Sequence, residues 1–321
     1  MISVIIPYYN PDSDPLLEHL LGRAVKSALA QSVDIEVIVV DDGSPNPPRS
    51  IIGELGDSRA RLLEAPHGRL GAARNHGIEA SRGDVLAFLD ADDYYFEGTL
   101  KPCLECMLSH EADLLGFGFR ICSSEECDAP QPATARCTEP VTGNRYMIGN
   151  TPYGSSCMYL ISRSLICDNS LRFAEGTYME DEDFTPRLLF FSRRFVQCNV
   201  VTYAYCRRKD SITTSPMYDE RAANTLNVLS RLQKFMSDHE EDDCRGLERK
   251  IRFLAVDHLR NTMRRPDWRK ALPLQTEALH NLGLWPLQEA PYGLGYRIFV
   301  ALSGTAAGRK ILHMNEKRYR E

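Results

Sequence analysis

Short runs of β-branched and other apolar residues alternate with amphipathic stretches through residues 2–115, a pattern that predicts βαβ units around a mainly parallel sheet. Residues 2–7 read as a strand, 16–31 as a helix, and 35–40 as a strand apolar enough to be buried on both faces. The alternation continues with a short helix at 47–55, a strand at 61–64, a helix at 70–80, a strand at 84–89, a helix at 98–110 and an apolar run at 113–119. Residues 122–140, rich in Ser, Glu, Pro and Ala, read as a surface excursion. Beyond it, 156–162 and 195–205 are strand-like and 183–191 helical. After Pro216 the pattern changes to long amphipathic helices near 220–236, 247–263 and 272–282. An α/β domain over 1–215 and a helical extension over 216–321 are therefore expected.

The 321 residues, 43% of them apolar, suffice for one large domain with such an extension. A formal charge of −6 has the wrong sign for a general nucleic-acid binder, and no Lys/Arg tract offsets it, so nucleic acid is not an expected partner. Apolar runs stay below the about 18 residues needed to cross a bilayer. Residues 1–7 already read as core strand with no signal peptide ahead of them, so a cytoplasmic setting and free thiols are expected for the ten cysteines. Cys103-Leu104-Glu105-Cys106 has the spacing of half a zinc site, which Cys122, Cys127 and Cys137 could complete. Its helical setting, with no His at ligand spacing, favours isolated buried thiols instead. From residue 291 onward Arg297, Arg309, Lys310, Lys317, Arg318 and Arg320 are interleaved with Ile298, Phe299, Val300, Leu302, Ile311 and Leu312. Such a stretch lies either peripherally on the anionic inner face of the plasma membrane or as a terminal helix against its own domain.

Three acidic islands carry the candidate chemistry: Asp41-Asp42-Gly43-Ser44, Asp90-Ala91-Asp92-Asp93 and Glu180-Asp181-Glu182-Asp183. The first two each end an apolar strand, where open parallel sheets bind their ligands. Carboxylates at such an edge are costly unless they hold a cation or accept specific hydrogen bonds. Asp90-x-Asp92 can hold Mg2+ or Mn2+ with one carboxylate while the other orients its water or a ribose hydroxyl, and a diphosphate leaving group needs that charge. Asp41 and Asp42 can accept a base imide N–H or ribose hydroxyls, although an ordinary strand-to-helix turn explains one of them. Arg69-Leu70-Gly71-Ala72-Ala73-Arg74 places small residues at a helix start, where Arg74 can meet base or phosphate or else cover the core. Glu182 and Asp183 fit helix-start electrostatics, while Asp181 suits a general base.

In order along the chain, Ser3-Val4-Ile5-Ile6-Pro7-Tyr8-Tyr9-Asn10, Val39-Val40-Asp41-Asp42-Gly43-Ser44, Gly71-Ala72-Ala73-Arg74-Asn75-His76-Gly77, Phe88-Leu89-Asp90-Ala91-Asp92-Asp93, Glu180-Asp181 and the Tyr/Arg loop ending Ser211-Ile212 together resemble the family 2 glycosyltransferases. These are inverting enzymes of the α/β GT-A fold, with a mainly parallel mixed sheet flanked by helices, and they include many bacterial polysaccharide transferases. The resemblance implies a nucleotide-diphospho-sugar donor, by family habit a UDP-sugar, and a saccharide or lipid-linked acceptor. It implies a donor site formed by Pro7, Tyr9, Asp41, Asp42, Gly71, Arg74, Asp90 and Ala91, with Asp92 on a Mg2+ or Mn2+ ion and Asp181 as catalytic base. Family members often carry Tyr-Tyr-Arg-x-Arg in the late loop. Here the first Arg position is Cys206, which leaves the phosphate role to Arg208.

Two rivals remain at this stage. A phosphatase with Asp90 as nucleophile and Asp92 as acid uses the second island but leaves the other two unexplained. A non-catalytic nucleotide-sugar-binding module would keep the donor site and lose turnover.

Overall fold

The computed structural model describes residues 1–122, 127, 134–207 and 217–318, with the backbone alone for 316–318. The described chain divides into two compact units, one of Met1–Gly143 with Tyr153–Ser215 and one of Asn144–Pro152 with Pro216–Glu321.

The first unit begins with β1 (Ile2–Tyr8), α1 (Pro15–Leu29), β2 (Ile35–Asp41), α2 (Arg49–Leu55), β3 (Ala60–Glu64), α3 (Arg69–Ala80) and β4 (Val85–Phe88). Both β1 and β2 are buried along their whole length, as their unbroken apolar runs require of strands covered on two faces. Asp14 caps α1 by accepting the Leu16 N–H, and Pro15 occupies the first turn, where a missing donor costs nothing. There follow the two-residue β5 (Tyr94–Tyr95), α4 (Leu100–Ser109) and β6 (Leu114–Cys122). The expected excursion lies partly outside the described residues. Its distal end, around 136–141, runs beside a late strand.

Next come α5 (Gly143–Gly149), β7 (Tyr159–Ser162), α6 (Arg163–Asp168), α7 (Glu180–Phe191) and β8 (Phe195–Cys206). The strands form one sheet in the order β3-β2-β1-β4-β7-β6-β8-β5. Its first half is parallel, β3 to β4, whereas β7 runs antiparallel to both β4 and β6, and β5 antiparallel to β8. β6 and β8 are again parallel.

Two differences from the sequence reading matter. The third acidic helix starts at Glu180, three residues earlier than the apolar pattern suggests, so the whole island lies in its first turn. The expectation of free thiols throughout is corrected: Cys106 is joined to Cys137 and Cys122 to Cys127, while Cys103, Cys157, Cys167, Cys198, Cys206 and Cys244 are free. Partners 31 residues apart in sequence cannot be recognised from spacing.

The second unit is helical: α8 (Tyr218–Ser237), α9 (Arg245–Arg264), α10 (Trp268–Asn281), α11 (Leu294–Ser303) and α12 (Ala306–Arg318). It includes the 144–152 segment, because Asn144 donates to the Asp243 carbonyl at 2.6 Å and Arg249 donates to the carbonyls of Met147 and Asn150. Among the described residues no helix is long and apolar enough to cross a membrane.

Candidate active site

Sheet order brings two of the acidic islands to one edge. β1 lies between β2 and β4, so Asp41 and Asp42 at the end of β2 and Asp90 just past β4 flank Pro7, Tyr8 and Tyr9 at the end of β1.

The two aspartates of the first island have different surroundings. Asp42 Oδ1 accepts the Gly68 N–H at 2.8 Å, and its Oδ2 meets His67 Nδ1 at 2.9 Å, so both oxygens are engaged within the protein. Asp41 is just as buried. Its Oδ2 accepts the Ser44 N–H at 3.2 Å, but its Oδ1 has no partner. A buried carboxylate oxygen without a donor costs free energy that an incoming N–H or O–H would recover. Burial holds the Asp41 pKa above the ordinary carboxylate value in spite of the Ser44 hydrogen bonds. Exposed Tyr9 stacks on His67 with ring centroids 4.4 Å apart, which adds an aromatic surface beside this pair.

Arg74 joins the other two islands. It sits on α3 with no exposed side-chain surface, and its guanidinium donates to Glu180 at 2.6 Å, Asp181 at 3.1 Å and Asp90 at 2.9 Å. The ring faces of Phe88 and Phe173 cover it, with centroids 5.9 and 5.3 Å away. The sequence reading puts Arg74 beside the nucleoside. In the structure its Nη1 and Nη2 donate to carboxylates, as a desolvated guanidinium requires acceptors, while its buried Nε has no partner. Neighbouring Asn75 fastens the adjoining segment, accepting the Phe173 N–H at 2.9 Å and donating to Glu175 at 2.8 Å.

Asp181 emerges from this cluster with a fifth of its side chain exposed. Its pKa is pushed up to about 6, by burial first, with Arg74 pulling it down and Glu180 pushing it up. A carboxylate near that value is ionised at neutral pH yet basic enough to take a proton. Glu180 and Asp181 occupy the first turn of α7, where the helix dipole favours negative charge. Asp183 plays a local part, accepting from Arg187 one turn later at 2.5 Å.

At the second island the chain turns tightly, with the Asp93 N–H donating to the Asp90 carbonyl at 3.0 Å. Asp93 is buried and accepts the Tyr203 hydroxyl at 2.6 Å and the Cys206 N–H at 2.7 Å, while the Asp90 N–H donates to the Tyr203 oxygen at 3.2 Å. Burial, then the charges of Asp92 and Asp90, push the Asp93 pKa up to about 8. Arg23 on α1 donates to the Asp92 carbonyl at 2.6 Å and lies over the Tyr94 ring. Asp92 is half-buried and offers hard oxygens in a turn crowded with negative charge, a donor set that suits Mg2+ or Mn2+.

The remaining expected site residues divide. Pro7 is buried in β1 opposite Val40, and Ala91 lies in the turn between the second-island aspartates. At Gly71 a Cβ would run into the Ala174 carbonyl oxygen, so its small size is already required by the packing of α3. Arg208 lies outside the described residues. Sequence reasoning passed over His67, Glu180, Asp93, Tyr203 and Arg23. Glu180 and Asp93 carried a signal as members of acidic islands, and Tyr203 as the start of the late Tyr/Arg loop.

A family model described as glycosyl transferase family 2 matches residues 3–168, just over half of the chain and including β1, Asp41, Arg74 and the second island. The chain belongs to glycosyl transferase family 2. Membership sets aside the phosphatase reading of Asp90 and Asp92. A curated relative, the uncharacterized glycosyltransferase EpsJ of Bacillus subtilis, is 29% identical over 224 residues, which span 67% of this chain and 64% of EpsJ. The crystal structure of Staphylococcus aureus TarS residues 1–349 with UDP-GlcNAc superposes with a TM-score of 0.57 at 18% identity, covering 88% of this chain and 90% of that one. The mannosyltransferase PcManGT of Pyrobaculum calidifontis, solved with GDP-Man and Mn2+, gives 0.54 at 14% identity, covering 100% and 87%. At such identities the likeness establishes the fold, and this family 2 chain has the expected GT-A architecture with C-terminal helices.

Proposed function

We propose that this family 2 protein is an inverting glycosyltransferase that moves a sugar from a nucleotide-diphospho-sugar, best supported as a UDP-sugar, to a hydroxyl of a saccharide or lipid-linked acceptor. The observation that carries this reading is the Arg74 hub, which holds Asp181 and Asp90 on one guanidinium at the ligand-binding edge of the sheet. The acceptor O–H gives its proton to Asp181 as its oxygen bonds to the anomeric carbon. The bond from that carbon to the diphosphate oxygen breaks on the opposite face, so one displacement inverts the centre. Asp41, with its unpartnered oxygen, receives the nucleoside. Asp42 shapes the turn beside it through His67 and Gly68. A relative solved in complex with UDP-GlcNAc and a structural neighbour solved with GDP-Man support this donor class.

Asp92, with Asp90 beside it, would hold a divalent ion, which when bound neutralises charge on the departing diphosphate. Chelation with EDTA is therefore expected to weaken nucleoside-diphosphate binding, and Asp92→Ala to weaken it to a similar extent even with Mn2+ present. Calorimetric titration with UDP checks both, and equal affinity with and without metal would remove Asp92 from this role.

The reading also includes peripheral membrane contact through α11 and α12, where Leu294, Ile298, Ile311 and Met314 are exposed among Arg297, Arg309 and Lys310. Binding should depend on anionic lipid and fall with salt. Co-sedimentation with phosphatidylglycerol vesicles, but not with phosphatidylcholine vesicles, is expected. Indifference to lipid charge would contradict it.

A further inference from the structure

The first unit gathers several of its cysteines at a place the sugar chemistry does not use. α4 carries Cys103 and Cys106 one turn apart, and Cys103 Sγ lies 3.4 Å from Thr202 Oγ1 on β8. The strip around Cys137 is fastened along the same strand, with the Thr138 N–H donating to the Gln197 carbonyl at 3.0 Å and the Asn199 N–H to the Arg136 carbonyl at 3.1 Å. Cys137 and Cys198 thereby face each other in an antiparallel bridge. The sulfurs of Cys106, Cys137 and Cys198 consequently lie within 4.8 Å of one another, and Cys103 stands one helical turn from Cys106.

Four sulfurs from a helix, a strand and the strip between them have the make-up of a soft, closed metal site. Tetrahedral zinc–thiolate coordination, with Zn–S of about 2.3 Å, separates the sulfurs by about 3.8 Å, a spacing compatible with the Cys106, Cys137 and Cys198 sulfurs. A set made of sulfur alone disfavours the hard Mg2+ and Mn2+ ions expected at Asp92. Zinc binds thiolates.

We propose that, once the Cys106–Cys137 bond is reduced, Cys103, Cys106, Cys137 and Cys198 bind one zinc-class ion that pins the Cys137 strip to α4 and β8. A phosphine and one water open the disulfide, giving two thiols and a phosphine oxide. The metal then displaces the remaining thiol protons to solvent. None of these four residues belongs to the Asp41, Arg74 or Asp181 contacts, so the proposal stands apart from sugar transfer.

Cobalt tests it directly. The full chain is reduced with tris(2-carboxyethyl)phosphine under anaerobic conditions, freed of metal with EDTA, desalted and titrated with Co2+. One equivalent should bind with the near-ultraviolet charge-transfer absorption of cobalt–thiolate bonds, and Zn2+ should abolish that absorption. Cys137→Ser and Cys198→Ser should each lose it, while Cys167→Ser, an exposed cysteine outside the cluster, should match the wild type. Cys137 is only half-buried, so its variant remains informative if Cys198→Ser misfolds. Reduced wild-type protein without the absorption, or an absorption that persists in Cys137→Ser, would overturn the proposal. The readout is indifferent to whether sugar is transferred.

Discussion

Asp181→Asn is expected to lower sugar transfer by about 10²–10⁴-fold, the usual contribution of a positioned general base, while UDP binding stays nearly intact. Two features of the structure make the prediction specific. Asn cannot take the acceptor proton, yet Arg74 keeps Glu180 and Asp90 as partners when the third carboxylate is neutralised, so the cluster should survive. The wild-type pH profile follows from the same group. Asp181 titrates at about 6, so kcat/KM should rise as pH climbs through that value and level off above it. The sign for stability is opposite. A carboxylate whose folded pKa is raised stabilises the fold most when protonated, and that contribution is lost as pH rises through about 6. At neutral pH the Asn variant should therefore be at least as stable as the wild type. Thermal melts with a transfer assay across pH check both, and undiminished transfer by the variant would remove Asp181 as the base.

Replacing Arg74 by methionine should have the largest structural effect of any single substitution in the site. Methionine fills much of the same volume but leaves Glu180, Asp181 and Asp90 facing one another without a cation. Removing one partner from a buried ionic cluster costs about 3–5 kcal/mol, because the remaining charges are desolvated and unpaired. Arg74 pulls the Asp181 pKa down, so loss of the guanidinium raises it further. The deficit should thus shrink in mild acid, where Asp181 protonates, and grow as pH rises. Transfer should be lost as well, since Asp181 and Asp90 then repel. Arg74→Lys should recover only part of the stability, because an ammonium lacks the planar fork that reaches three carboxylates at once. Urea unfolding at several pH values is the measurement. An unchanged midpoint at neutral pH would show that the hub contributes little.

The first half of the sheet was legible because β1, β2 and β4 are nearly unbroken apolar runs, the last two leading into acidic islands, and a buried parallel strand leaves that trace. Local order was legible wherever the 3.6-residue period was strong, as in α1, α8 and α9. The two-residue β5 and the short α5 and α6 were not, although α2, of the same seven-residue length as α5, was. Motif order was enough to place Asp41, Asp90 and Asp181 in one expected site. What it could not supply was division of labour inside each motif. Asp41 and Asp42 are adjacent and chemically alike, and only the positions of His67, Gly68 and Ser44 decide which oxygen lacks a partner.

Arg74 shows the same limit more sharply. An arginine one turn into a helix reads as a ligand-binding cation, and its complete burial rests on Glu180 and Asp181, more than a hundred residues later. The cysteines repeat the lesson. Cys103-x-x-Cys106 was visible as half a site, whereas Cys198 entered it through the pairing of β8 with a strip sixty residues upstream.

The central claim, single-displacement transfer with Asp181 as base, can be tested without knowing the acceptor, because water replaces it in slow donor hydrolysis. Wild-type protein is incubated with Mn2+ and α-linked UDP-sugars, and the first sugar anomer released is followed by proton NMR before it equilibrates. The β-anomer should form first together with UDP, and Asp181→Asn should release neither. First release of the α-anomer, or equal hydrolysis by the variant, would contradict the mechanism.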